Sequence, residues 1–358
     1  MKKEIIINDF VVKPEKCNFS CDYCLSNEAP SWMQKREKEL LLYTVNNTFG
    51  KNLCDIINKI DSLVDATILR ISGGELFAIK NIEEFLIERT NYEAIQVITN
   101  GYYLQENILE SLKKISQCHI HMSLDGHDLN LNGYRVKSKK VQQRLLDNLN
   151  MAVELGFHVE IGSVLTNANV AEFRTFLEYL LRYENKVTVY PFPVRGNSMS
   201  TFLPSKIDVE KFKQIFEDYN QYKNILAHEA YIKYCIFIME GNRRKLRCHI
   251  PEIAIQSFEN GNITACPNSW SSLIGNVNDE DIEIVNKKMQ EDKMKKLFLQ
   301  PKPRVPFCKQ CYTSLDILNL YFEGYISDDE MGHIPLYSGP RTIHRLMKHK
   351  KEIERIKK

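Results

Sequence analysis

Three cysteines near the start of the chain, Cys17, Cys21 and Cys24, sit in the run KCNFSCDYC with C-x3-C-x2-C spacing. One short loop thus offers three thiolates. Iron–sulfur clusters are usually held by four cysteine thiolates, so three leave one iron of a cubane without a protein ligand. A small molecule can bind that iron and receive an electron. A structural zinc site wants a fourth protein ligand close by, and the next cysteine is Cys54. A second set lies far downstream. Cys248 and Cys266 are spaced C-x12-G-x4-C, and Cys308 and Cys311 follow as C-x2-C. These four thiolates are a full set for a 4Fe-4S cluster or for zinc, because tetrads of thiolates suit both. Cys54, Cys118 and Cys235 stand in apolar helix or strand contexts and are expected to be buried core thiols.

The first set needs a rigid frame. Apolar runs at Ile5–Val12, Ala66–Ile71, Ala94–Thr99, His119–Leu124, His158–Leu165 and Val187–Phe192 have the length and composition of buried strands. Amphipathic stretches at Ile82–Thr90, Leu104–Ile115, Ser138–Leu155, Val170–Tyr183 and Val209–Tyr222 fall between and after them. Strands separated by helices of this length imply right-handed crossovers and a parallel α/β sheet. Polar motifs fall at the strand ends: Ser72-Gly73-Gly74-Glu75, Thr99-Asn100-Gly101 and Ser123-Leu124-Asp125-Gly126. Paired glycines let a backbone turn tightly and expose its polar groups, and Glu75 offers an acceptor for an ammonium. Past Tyr222 the alternation stops. Glu252 to Gln256 alternates as a strand, Asn260-Gly261 signals a hairpin turn, and Ile263 to Ala265 returns, which predicts that Cys248 and Cys266 approach one another.

The loop after the first strand, with Phe19 and Tyr23 interleaved among its cysteines, resembles that of the radical S-adenosylmethionine (SAM) superfamily. The resemblance implies an open, partial (β/α)6 barrel whose chemistry gathers at the carboxyl ends of the strands. It implies a 4Fe-4S cluster on Cys17, Cys21 and Cys24, its open iron chelated by the amino and carboxylate groups of S-adenosyl-L-methionine. Tyr23 matches an aromatic position whose backbone lies near adenine. Ser72 to Glu75 match the family's motif for the methionine amino group, with Thr99 and Asn100 at the next strand end. Ser123 and Arg135 match positions that contact ribose and carboxylate in peptide-modifying members. Val164, Leu165, Tyr190 and Phe192 are expected to form an apolar wall against adenine. The downstream cysteines resemble a SPASM/Twitch extension. No cysteine follows Cys311, which points to the shorter Twitch form with one auxiliary 4Fe-4S cluster on Cys248, Cys266, Cys308 and Cys311, or on three of them with a substrate or water completing the site.

The expected organisation is a barrel over 1–223, a linker helix over 224–245, a β-hairpin/α cluster domain over 246–335 and a basic, solvated helical tail over 336–358. Asp125, Tyr134 and Arg195 are candidate proton acceptors or second hydrogen donors, and no Ser-His-Asp or paired-carboxylate arrangement stands out. With 358 residues, 43% of them hydrophobic, and a net charge of +2, the composition is that of a globular protein with no electrostatic case for nucleic acid or membrane. Ten cysteines without a secretion signal suggest a reducing cytoplasm. The stretch from Ser123 to Asn167 is most like enzymes that crosslink or epimerise ribosomally made precursor peptides (RiPP maturation). The strand-like start at Ile5 is expected to leave no room for an amino-terminal leader-binding domain, so a precursor would be bound by a separate leader-binding protein or by the barrel itself, and a reductant such as flavodoxin or ferredoxin would supply electrons. Radical oxidation or epimerisation of a sugar or aminocyclitol, sulfatase maturation, and a non-catalytic zinc scaffold are the other readings.

Overall fold

The computed structural model describes residues 2–24, 43–44, 48–195, 199–269 and 272–357. Six parallel strands follow in order: β1 (Lys3–Val12), β2 (Val64–Gly73), β3 (Ala94–Thr99), β4 (Cys118–Ser123), β5 (Val159–Leu165) and β6 (Val187–Pro193). Helices α1 (Thr48–Leu63), α2 (Ile82–Ile87), α3 (Glu106–Leu112), α4 (Lys139–Glu154), α5 (Phe173–Leu180) and α6 (Lys206–Glu217) lie between and after them. The strands are almost continuous apolar runs because both faces are covered, as a parallel sheet requires. This is the partial α/β barrel expected of the alternation. Strand alternation assigns the faces. Phe10 packs against Phe85 of α2, with ring centroids 6.4 Å apart, so Phe10 points outward and Asp9 into the lumen.

The C-terminal hairpin continues the same sheet. Its strands are β7 (Ala254–Phe258), β8 (Asn262–Thr264) and β9 (Leu273–Asn276), and the strand order is β9-β8-β7-β1-β2-β3-β4-β5-β6. β7 runs parallel to β1, with Asp9 opposite Gln256. Gly261 takes φ 87°, the left-handed conformation that the Asn-Gly turn demands. Helix α7 (Glu229–Met239), in the stretch expected to be a linker, packs on β6 and α6 and buries Tyr231 and Cys235.

The expectation of a solvated tail is corrected. Further helices are α8 (Lys293–Phe298), α9 (Asp316–Phe322) and α10 (Pro340–Lys357), and α10 packs on β1 and β2. Glu93 caps its N-terminus, accepting from Arg341 N at 2.8 Å and Thr342 N at 2.7 Å. Arg345 donates to the carbonyl of Ile5 at 2.9 Å and to the carboxylate of Asp65 at 2.5 Å. The basic residues hold the helix to the sheet's amino-terminal end. Arg345→Ala is expected to cost about 1–3 kcal/mol by leaving these acceptors unpaired, seen as a lower urea midpoint. Arg341→Ala, whose ion pair with Asp65 is nearly half exposed, should cost under about 1 kcal/mol.

Candidate active site

The cysteine loop leaves β1 at Val12 and is clamped across the end of β2. Gly74 N donates to Lys13 O at 3.1 Å and Glu75 N to Lys16 O at 2.7 Å. Both glycines are needed for space. A Cβ at Gly73 would fall inside the carbonyl of Val12, and one at Gly74 inside the carbonyl of Lys16, against Cys17 N. Glu75 is buried and ties the loop to the end of β3. Its Oε1 accepts from Thr99 Oγ1 at 2.6 Å and Phe77 N at 3.1 Å, and its Oε2 from Asn100 N at 2.7 Å. Burial raises its carboxyl above the usual range, opposed by those donors. Asn100 in turn donates to Asn18 Oδ1 at 2.8 Å and approaches Cys17 Sγ at 3.9 Å.

The other flank of the loop is held by β4 and β5. Tyr23 donates its hydroxyl to the buried carboxylate of Asp125. Asp125 Oδ1 also accepts from Val164 N at 2.9 Å and lies 3.4 Å from Arg135. Arg135 is 3.9 Å from Cys21 Sγ and its guanidinium carbon sits 5.6 Å from the Tyr23 ring centroid. Asp22 N donates to Tyr134 O at 2.9 Å. The carboxylate of Asp125 is therefore occupied in anchoring the loop. Tyr134 donates to Asn167 Oδ1 at 3.0 Å, at the rim.

Burial, opposed by the Phe19 amide and aided by Glu75, Cys21 and Cys24, pushes the Cys17 thiol up to about 12. A thiol so placed ionises only beside added positive charge, such as iron. The amide of Phe19, 3.4 Å from Cys17 Sγ, with Asn100 and Arg135, supplies donors for anionic sulfur. The loop thus fits a cluster in donor chemistry. Beside it opens a cleft of about 1070 Å³ lined by Phe19, Cys21, Tyr102, Arg135 and Phe202 among others.

Inside the lumen, Ser72, Ser123, Val164 and Phe192 are half-buried at the mouth, Val164 standing opposite Phe192. Tyr190 lies one rung below, buried, opposite Gly162. Leu165 belongs to the opposite face from Val164 and is fully buried in the core, so the apolar wall loses that member. The sequence reading missed a polar ladder beneath. Asp9 meets Arg70 at 2.7 Å, Arg70 donates to Gln96 at 3.1 Å, Gln96 to Glu160 at 2.6 Å, and His121 lies 3.3 Å from Glu160. Burial raises Asp9 against the pull of Arg70. Burial also acts on Glu160, but His121, His119 and His158 hold it below the usual range. The available signal was a charged or amide residue recurring in otherwise apolar strands.

The downstream cysteines line one small cavity together with Arg244, Phe307 and Asp316. Burial raises Cys248 to about 11 and Cys308 to about 12, and lifts Cys266 and Cys311 as well. Arg244 is buried, paired with Asp316 at 2.6 Å, and donates to Cys311 O at 2.7 Å. Arg195 turns to this set. It donates to Asn268 Oδ1 at 2.9 Å, its charge opposes the rise of the Cys311 thiol, and Asn268 N lies 3.4 Å from Cys266 Sγ. Among the described residues, no three His, Cys, Asp or Glu side chains close round a single-ion point. Of the remaining cysteines, Cys235 is buried, whereas Cys54 and Cys118 are only half-buried.

Residues 11–180 match the model of the Radical SAM superfamily. The chain carries a radical SAM domain. The chain is an enzyme, and the superfamily whose model it matches uses a 4Fe-4S cluster and SAM. A GTP 3′,8-cyclase from Nautilia profundicola is 25% identical over 231 residues, covering 61% of this chain and 68% of the relative. Other curated relatives of the same name are matched over about half of their length or less. In fold, the chain is similar to Streptococcus suis SuiB bound to S-adenosylmethionine, with a TM-score of 0.58, 15% identity, and coverage of 81% of this chain and 67% of that one. It is equally similar to anSMEcpe with bound AdoMet, at TM-score 0.58 and 16% identity, over 87% of both chains. Among the described residues, no helix is long and apolar enough to cross a membrane.

Proposed function

We propose that this radical SAM enzyme modifies a ribosomally made peptide, with one 4Fe-4S cluster on Cys17, Cys21 and Cys24 and an auxiliary one on Cys248, Cys266, Cys308 and Cys311. One observation carries the peptide reading. The chain follows, over 87% of both chains, a fold that in anSMEcpe has been captured with a peptide as well as AdoMet. SuiB, the other neighbour, has been captured with its precursor peptide SuiA. When bound, a reduced cluster and SAM supply a 5′-deoxyadenosyl radical able to take hydrogen from an unactivated C–H bond.

The chain's own residues bind and orient. Glu75 Oε2 keeps a lone pair after its bond from Asn100 N and can accept from the SAM ammonium. Gly73 and Gly74 bring the loop backbone close. Arg135, fixed by Asp125, holds positive charge beside Cys21 and would pair with the SAM carboxylate. Ser72, Ser123, Val164 and Phe192 form the rim, and the ladder from Asp9 to His121 is a polar floor for a substrate amide or hydroxyl.

The relatives named GTP 3′,8-cyclase favour a second reading, a small-molecule substrate. The floor argues against a triphosphate. It carries two carboxylates, Asp9 and Glu160, against one guanidinium, Arg70, already paired with Asp9. Iron-loaded, reduced enzyme given SAM and peptides encoded nearby is expected to yield 5′-deoxyadenosine and a peptide lacking two hydrogens, or one carrying deuterium from solvent, by mass spectrometry. Consumption of GTP with every peptide untouched would overturn the peptide reading.

A further inference from the structure

The charge of the chain is distributed unevenly around the downstream cysteines. From Gly241 to Pro251 there are four cations, Arg243, Arg244, Lys245 and Arg247, and no Asp or Glu. From Lys293 to Leu315 there are six cations and again no acid, in a chain whose net charge is only +2. The two segments are joined where Arg244 N donates to Lys309 O at 2.8 Å, and both border the cavity that the four cysteines line. Arg244 and Lys295 are buried. Arg243, Lys245, Lys293, Lys296, Lys302 and Arg304 are exposed, and among the described residues none of these six is paired with a carboxylate.

Apolar surface interrupts the basic field. Phe307 is 41% exposed while its ring packs on Phe298 at 5.8 Å, and Leu297 and Met294 are exposed nearby. Cys308, the next residue after Phe307, is half-buried. This face shares no lining residue with the cleft beside Cys21. A cationic field around a small apolar patch, over a thiol set, suits a brief, electrostatically steered electron-transfer encounter.

We propose that this face docks an acidic one-electron carrier protein. The inference rests on the auxiliary-cluster reading above. The carrier is oxidised by one electron and the centre held by Cys248, Cys266, Cys308 and Cys311 is reduced by one; no proton moves and no bond forms. Lys296, Lys302 and Arg304 steer the partner, and Phe307 with Leu297 forms the dry contact that brings its redox group close to Cys308.

The test uses full-length, iron-loaded enzyme and a K296E/K302E/R304E variant. Stopped-flow bleaching near 400 nm follows reduction by photoreduced flavodoxin, an acidic carrier, and separately by photoreduced deazaflavin, a small neutral one. At low salt the flavodoxin rate of the variant should fall about tenfold or more. The wild-type rate should drop with added salt until the two converge near about 0.5 M, while deazaflavin reduces both alike. Calorimetry should show weaker flavodoxin binding by the variant. Equal flavodoxin rates and salt dependence would overturn the proposal. So would unchanged flavodoxin rates accompanied by lost peptide modification under chemical reduction, which would make the face a substrate surface. Wild-type enzyme holding about four irons instead of eight would remove the auxiliary cluster itself, a failure that iron analysis separates from the rate result. A variant with Gln at the three positions guards against misfolding by charge reversal and should fall between.

Discussion

Cys21→Ala is expected to lose SAM cleavage completely while the protein stays folded and keeps about half its iron. The loop is held by groups other than this thiol: Asp22 N on Tyr134 O, Tyr23 on Asp125 and Glu75 N on Lys16 O, while Cys21 Sγ approaches Arg135 at 3.9 Å. Arg135 retains Asp125 when the sulfur is removed, so no buried charge is left unpaired. The loss should therefore fall on the metal centre, with the urea midpoint close to wild type. Formation of 5′-deoxyadenosine, measured chromatographically under dithionite, reads the first centre alone. Cys308→Ala provides the contrast: cleavage continues, modified product disappears, and iron again drops to about half. Persistent cleavage in Cys21→Ala would refute the assignment of the first cysteine set.

What the sequence disclosed is what depends on neighbours along the chain. Ile5 to Val12 and Ala94 to Thr99 read as strands because a parallel sheet buries both faces, so apolar runs mark the strands, the second to the residue and the first two residues short at its start. The C-x3-C-x2-C loop, Gly73-Gly74-Glu75 and the Asn260-Gly261 turn are spelled within a few residues. What depends on distant pairing was hidden. Nothing local says that β7 lies beside β1, with Ile7 opposite Ala254. The basic tail gave the same composition as a solvated helix; only Asp65 and Glu93, far away in the chain, reveal that Arg345 and the start of α10 are docked.

The site was legible to the same limit. Cys17, Glu75 and Asn100 were found from motifs, and the fold joins them through one network. Asp125 and Arg195 sit at strand ends, where a proton acceptor or second hydrogen donor is expected, yet strand ends also carry the groups that fasten loops. The structure shows what each touches: Tyr23, Val164 and Arg135 surround Asp125, and Asn268 receives Arg195. Leu165 illustrates a simpler failure, since adjacent residues of a strand cannot both face the lumen. The ladder from Asp9 to His121 went unnoticed because each member is a single polar residue in a different strand, and only the register aligns Asp9 with Arg70 and His121 with Glu160.

Gly74→Ala should be nearly as damaging as losing a cysteine, though it removes no donor atom. The added methyl would lie inside the carbonyl of Lys16 and against Cys17 N, both backbone atoms that no rotamer change can move. Relief requires lifting residues 13–17 from the end of β2, which breaks the bonds from Gly74 N to Lys13 O and from Glu75 N to Lys16 O. Overpacking of this kind typically costs about 1–3 kcal/mol. Here it falls on the segment that carries Cys17, and a displacement of about 1 Å in a reacting centre can cost about a hundredfold in rate. SAM cleavage is therefore expected to fall at least about a hundredfold, with iron lost from the first set and the auxiliary iron retained. Gly332→Ala is the matched control, because its nearest neighbour, Ile343 Cδ1, would lie 3.9 Å from the new methyl, an ordinary contact. Iron analysis and circular dichroism on both variants separate local displacement from unfolding. If Gly74→Ala carried full iron and cleaved SAM at the wild-type rate, the clamp between the two glycines and the cysteine loop would not be what positions Cys17.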